Sequence, residues 1–299
     1  MRASLAALLD SNRVLLADGA TATNYFVAGL APDAAPEAWN LEHAARVRAL
    51  HLAFVDAGAD VILTNTFGCN RTRLGVHGLH DRANEIACRA AEIARAVADA
   101  ARTPVVVAGS VGPTGVRLAP HGPLAPADAA ASFHEQIAGL RDGGADVAWL
   151  ETMAAADEVR LAAQAAIDVG LPYVVSCSFG ADGRTLAGLA PDALVDVCVG
   201  LAVQPLAIGA NCGVGPADIV ASVRAMTARL DCAPAVAKAN CGLPRLVGGE
   251  AHYAVTPAQM ADYAQQAVEA GACIVGGCCG TTPEHVAAMR AALDRLARE

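Results

Sequence analysis

No stretch of the 299 residues approaches the roughly 20 consecutive apolar positions that a membrane span needs, although 55% of the residues are hydrophobic. Lys and Arg form no cluster, and the formal net charge is −9. A phosphate backbone or an anionic membrane surface is therefore not the expected partner. No G-x-G-x-x-G follows an early strand, which argues against a dinucleotide-binding open sheet. Aromatic residues make up only 4% of the chain, so few are available to line a pocket. The opening segment MRASLAALLDSNRVLLADG is interrupted by Asp10 before its apolar run reaches the length of a signal-peptide core, and no small-residue cleavage pattern follows. It is expected to form a short helix leading into a strand.

Cysteine, by contrast, is plentiful, with ten residues. Cys88, Cys177, Cys198 and Cys273 sit within apolar runs, where a free thiol acts as a small hydrophobe, and a reducing cytoplasmic setting is expected.

Eight short runs rich in Val, Ile, Leu and Ala recur along the chain: VLLADG at Val14, DVILTNTF at Asp60, VVVAGSVG at Val105, DVAWLET at Asp146, YVVSCSF at Tyr173, AIGANCGVG at Ala207, AVAKANCG at Ala235 and CIVGGCCG at Cys273. A strand covered on both faces reads as a continuous rather than alternating apolar run. Between them lie stretches with helical spacing, such as Ala90, Ile93, Ala94 and Val97. Several end in DAGADV, DGGADV or EAGACIV, which place Gly58, Gly144 and Gly271 where a helix C-terminus favours a left-handed residue. Short turns lead into the strands. Longer loops rich in Gly, Pro, Asn and Thr follow them, notably 20–40, 68–80, 113–126 and 243–256. The pattern predicts a single-domain (β/α)8 barrel over residues 1–299, with its chemistry at the C-terminal ends of the strands.

Those ends carry Asp18-Gly19, Thr64-Asn65-Thr66, Ser110, Glu151-Thr152, Asn211-Cys212-Gly213, Asn240-Cys241-Gly242 and Gly277-Cys278-Cys279-Gly280. Cys212, Cys278 and Cys279 form a candidate metal triad. Regular pleating would send adjacent side chains to opposite faces, but glycines at 276, 277 and 280 are expected to allow dihedrals that turn both sulfurs toward one ion. Three thiolates favour a tetrahedral thiophilic cation such as Zn²⁺, with a fourth corner left open. Cys241, also at a strand end, stays outside the triad. His121 and His252 lie in strand-following loops and receive no role. Asp18 and Glu151, two carboxylates in one barrel mouth, call for a cation to join them.

At these residues the chain resembles the zinc-dependent homocysteine S-methyltransferase family, which includes betaine-homocysteine methyltransferases, S-methylmethionine-dependent enzymes and the homocysteine domain of cobalamin-dependent methionine synthase. The resemblance runs from Ala17-Asp18-Gly19 through Thr64-Asn65-Thr66-Phe67, Ala108 to Thr114, Leu150-Glu151-Thr152, Gly183-Arg184-Thr185 and Asn211-Cys212 to Gly276-Gly277-Cys278-Cys279-Gly280. It implies that Cys212, Cys278 and Cys279 bind Zn²⁺ and that the sulfur of homocysteine completes the coordination. It also implies that Asp18 and Glu151 hold the substrate ammonium, and that backbone around Gly19 and Thr64 meets the carboxylate.

An isolated barrel suits a small onium donor, with betaine first, because its methyl group is electrophilic without a cofactor. S-methylmethionine, or methylcobalamin on a partner protein, is the alternative, and a non-catalytic zinc-holding or thiol-sensing barrel the reading of another class. Tyr25, Trp39 and Phe67 are the candidate donor pocket. Trp39 sits where the animal betaine enzymes also carry a loop Trp. The tyrosines those enzymes place after strands two and four are here Gly68 and Thr152. Expected partners are the small-molecule substrates, with no nucleic acid and no membrane, and self-association of the chain is left open.

Overall fold

A computed structural model describes residues 2–11, 13–230, 233–248 and 250–298. All eight apolar runs form strands: β1 (Leu15–Leu16), β2 (Val61–Leu63), β3 (Val106–Val111), β4 (Val147–Met153), β5 (Tyr173–Cys177), β6 (Ile208–Cys212), β7 (Ala235–Ala239) and, after the hairpin strands β8 (Arg245–Val247) and β9 (Glu250–His252), β10 (Ala272–Gly277). The eight barrel strands are parallel, in the order β1-β10-β7-β6-β5-β4-β3-β2. A bridge from Ala17 to Val61 and a hydrogen bond from the Asp18 amide to the Val61 carbonyl (3.0 Å) close β1 onto β2. Each strand is covered by helices outside and by the barrel interior inside, which is why its sequence does not alternate.

Two apolar layers result. The outer one packs the helices against the strands and includes Phe54, Phe133, Leu140 and Met289. The inner one fills the barrel with Leu15, Val61, Val106, Val147, Trp149, Val174, Val236 and Ile274. Leu5, from the short N-terminal helix Leu5–Leu9, joins this inner layer and is 1% exposed. The helix is started by the Ser4 hydroxyl, which accepts from the Ala7 amide at 3.2 Å.

Gly58, Gly144 and Gly271 adopt φ of 95°, 94° and 95°, the left-handed residues expected just beyond helices Ala44–Asp56, Pro126–Asp142 and Pro257–Glu269. The loops after the strands are less irregular than their composition suggests. The first holds helix Ala22–Val27 and the turns Pro36–Ala38 and Trp39–Glu42, and the loop after β7 holds the β8–β9 hairpin. No helix among the described residues is long and apolar enough to cross a membrane.

Candidate active site

At the C-terminal mouth the sulfur atoms of Cys212, Cys278 and Cys279 lie within 4.8 Å of one another. The Cys212 and Cys279 sulfurs are 3.8 Å apart. Bonds of about 2.3 Å to a tetrahedral zinc ion require sulfur–sulfur separations of about 3.8 Å, so the triad fits such an ion. Electrostatics point the same way, because three sulfurs this close cannot all be anionic without a shared cation. Hydrogen bonds from Cys278 and Cys279 pull Cys212 down to about 3, while the contact with Cys212 is the largest factor pushing the other two thiols up.

Cys212 ends β6 with φ of 61°, an unusual conformation for a non-glycine residue. Its turn is held by Asn240, whose amide nitrogen donates to the Gly213 carbonyl at 2.8 Å. The glycines beside Cys278 and Cys279 act differently from expectation. Cys278 and Cys279 lie beyond the end of β10, in a turn closed by the Thr281 amide and hydroxyl donating to the Cys278 carbonyl at 3.1 and 2.6 Å. Strand alternation therefore no longer separates their sulfurs. A Cβ on Gly277 would stand 2.4 Å from the Thr281 hydroxyl oxygen, and one on Gly276 2.9 Å from the Ala17 Cβ, so these two glycines permit close packing. Only Gly280, φ 82°, supplies left-handed backbone. A Cβ there would also meet the ring of Tyr253.

The acidic pair is buried below the thiols. Glu151 is 8% exposed and accepts from the Ser110 hydroxyl. Burial pushes its carboxyl up to about 7, against the pull of Lys238. The following residue, Thr152, has φ of 62° and is clamped by Asn211. The Asn211 side-chain oxygen accepts from the Thr152 amide at 2.8 Å, and its nitrogen donates to the Thr152 hydroxyl at 2.7 Å. The Asn-Cys pair of β6 thus serves two groups at once: Cys212 faces the triad while Asn211 fixes the turn that carries Glu151.

Asp18 is 1% exposed and already engaged. One oxygen accepts from the Leu63 amide at 2.7 Å and the other from the ammonium of Lys238 at 3.2 Å. Burial pushes Asp18 up, opposed by Lys238. Burial alone would lower Lys238, but Asp18 and Glu151 outweigh it and hold the ammonium above its ordinary value. Lys238, 2% exposed, was not singled out from the sequence. The available signal was a lone cation inside an apolar strand, AVAKA, two positions after the inward-facing Val236.

The cavity at this mouth is lined by Gly19, Glu37, Thr64, Phe67, Glu151, Lys238 and the three cysteines, among others. Asp18 does not line it; Lys238 does. Thr64 lines it too, but its amide donates to the Ala108 carbonyl at 2.9 Å and its hydroxyl is shared with Thr66 and the Ser110 amide. Of the three aromatics expected in a donor pocket, Phe67 reaches the cavity. Tyr25 and Trp39 do not; their rings pack at 5.0 Å in an apolar cluster with Leu30, Val47 and Ile93, because the loop folds into helices with a core of their own. Glu37, from the same loop, does line the cavity and accepts from the Gly68 amide at 2.6 Å. Cys241 is fully buried and lies outside the triad, with its amide bonded to the Cys279 carbonyl at 2.9 Å. His121 and His252 are exposed and take no part in the cluster.

The model of the family described as homocysteine S-methyltransferase matches residues 15–293. The methionine synthase of Mycobacterium leprae (strain TN) is 33% identical over 306 residues, which cover 95% of this chain and 25% of that protein. That of Mycobacterium tuberculosis (strain ATCC 25618 / H37Rv) is also 33% identical, over 97% of this chain and 26% of its own length. The chain thus spans about a quarter of these relatives. Among solved structures, the homocysteine methyltransferase MmuM from Escherichia coli in its metallated form superposes with a TM-score of 0.81 at 26% identity, covering 95% of this chain and 98% of that one. With the barrel, the thiol triad and a match along nearly its whole length, the chain belongs to the homocysteine S-methyltransferase family.

Proposed function

We propose that this chain is a cytoplasmic, zinc-dependent enzyme that transfers a methyl group from a small onium donor, most simply betaine, to homocysteine, forming methionine. The convergence of Cys212, Cys278 and Cys279 in the same cavity wall as Glu151 carries this reading. A zinc ion held by these three sulfurs supplies a deprotonated substrate thiol at neutral pH, where a free thiol of pKa about 8.5 is mostly protonated.

The chain's own groups do the rest. Glu151 has one oxygen on the Ser110 hydroxyl and offers the other to the substrate ammonium, with the charge of Asp18 adding to the field from beside Lys238. Asn211 keeps Glu151 at a fixed distance from Cys212, so the amino-acid end and the sulfur end of the substrate are located together, and the substrate sulfur is held in one orientation for in-line attack. On the donor side, Phe67 and the buried Glu37 line the cavity, an aromatic ring and a carboxyl group of the kind that favour a cationic methyl group over a neutral one. The guanidinium of Arg73 stands 5.2 Å from the centre of the Phe67 ring, and Gly112 packs close against the ring's edge, so a donor shares this ring with a resident cation.

The likeness to methionine synthases three quarters of whose length lies outside the match supports a second reading, in which a corrinoid-bound methyl group is delivered by a partner. Turnover assays with homocysteine and betaine, S-methylmethionine or methylcobalamin in parallel separate the two. Methionine formed with betaine supports the first, methionine formed only with methylcobalamin supports the second, and none with any donor refutes both.

A further inference from the structure

Among the described residues, Lys238 is the one cationic side chain that lines the cavity. Itself buried, it is held by Asp18, and its aliphatic stem lies against Gly276, where a Cβ would approach the Lys238 Cγ to 3.2 Å. The ammonium stands 5.7 Å from the centre of the Trp149 ring, which forms the apolar floor beneath it. An ammonium carries three donors, and among the described residues Lys238 uses one, toward Asp18. A buried ion pair of this kind is weak evidence for stability, since apolar residues of similar volume serve a core as well. Its position on the cavity wall asks for another purpose.

The substrate of the function proposed above is a zwitterion, and on that reading Glu151 meets only its positive end. The expected backbone partner for the negative end is reduced, because the Thr64 amide is engaged by Ala108. We infer that Lys238 is a substrate-binding residue: braced by Asp18, it donates its remaining hydrogen bonds to the α-carboxylate of the amino-acid thiol while Glu151 receives the ammonium. Asp18 then acts through Lys238, aiming the ammonium and keeping it charged in a site that would otherwise favour the neutral amine. The substrate class that follows is a thiol bearing a free carboxylate, and a thiol whose carboxyl is amidated is rejected.

Calorimetric titration of the zinc-loaded chain with homocysteine, its carboxamide and its desamino analogue tests this. Wild type should prefer homocysteine over the carboxamide by about 10- to 100-fold, the scale of a hydrogen bond to a charged group. Lys238→Met should lose that preference yet keep the preference for homocysteine over the desamino compound, which reports on Glu151. Because Lys238→Met leaves Asp18 as a buried unpaired charge, the double variant Asp18→Asn/Lys238→Met is measured beside it and should behave alike. Retention of the carboxylate preference in either variant, or equal loss of both preferences, overturns the assignment. Failure of wild type to bind homocysteine at all overturns the proposed function and this inference with it.

Discussion

At the floor of the barrel, Val106, Val147, Ala207, Val236 and Ile274 fill the interior and Leu5 closes it; two to four residues after the first four of these, the chain buries Ser110, Glu151, Asn211 and Lys238, and three thiols stand at the end of β6 and just beyond β10. The floor is apolar and self-sufficient. The mouth holds carboxylates, an ammonium and crowded sulfurs, which would be unfavourable there unless each were paired or awaiting a ligand. The N-terminal end also buries a carboxylate, Asp60, but Arg13, Arg290 and the Leu16 amide pair it fully. The polar groups of the mouth instead converge on a cavity, which is where folding stops being the constraint and chemistry begins.

Changes at the two ends should therefore fail in different ways. Cys279→Ala is expected to abolish zinc retention and lower turnover by about three orders of magnitude or more, equivalent to about 4 kcal/mol of transition-state stabilisation, with the fold intact by circular dichroism. Metal content and turnover measured on one preparation check this. A variant that keeps full activity without metal breaks the contrast between the two ends. Leu5→Ala should do the reverse, costing about 2–5 kcal/mol of stability in denaturant titration with kcat/KM per folded molecule unchanged.

Glu151 adds a pH signature. Its carboxyl is raised to about 7, so it carries its charge only above that value, whereas the homocysteine ammonium remains protonated throughout the range. Because the bound thiol also gives up a proton, homocysteine affinity should fall with acidification on both sides of that point but by about tenfold per pH unit more steeply below it, and Glu151→Gln should remove the break near 7 while keeping the thiol's own slope. Stability runs the opposite way. The folded state binds this proton more tightly than the unfolded one, so the group's contribution declines as pH rises from 4.5 toward 7. The smallest effect is expected at Phe67. Its change to Ala should raise KM for a cationic donor by about 2- to 5-fold without altering that for homocysteine, and Trp39→Phe should change neither.

The barrel and its thiols were legible in the sequence for physical reasons. Strands buried on both faces read as unbroken apolar runs, and their ends are where a barrel collects reactive side chains. What escaped lay one step inside those ends or in loops. Lys238 precedes the end of β7 and became visible only once inward parity from Val236 was known. Tyr25 and Trp39 are expected in a donor pocket from sequence because loop composition does not reveal that the segment folds on itself, and Glu37 gives no signal there for the same reason. Gly276 and Gly277 stand beside the thiol pair, but their smallness admits Ala17, distant in the chain, and Thr281, four residues beyond Gly277, rather than turning the sulfurs.

The central claim is that Cys212, Cys278 and Cys279 hold one zinc ion whose remaining position receives the substrate's sulfur. X-ray absorption at the zinc edge of the reduced, metal-loaded chain tests it directly. Three sulfur neighbours should become four when homocysteine is added, with the extra scatterer at about 2.3 Å. An unchanged coordination shell, or a zinc ion bound without these cysteines, would contradict the account.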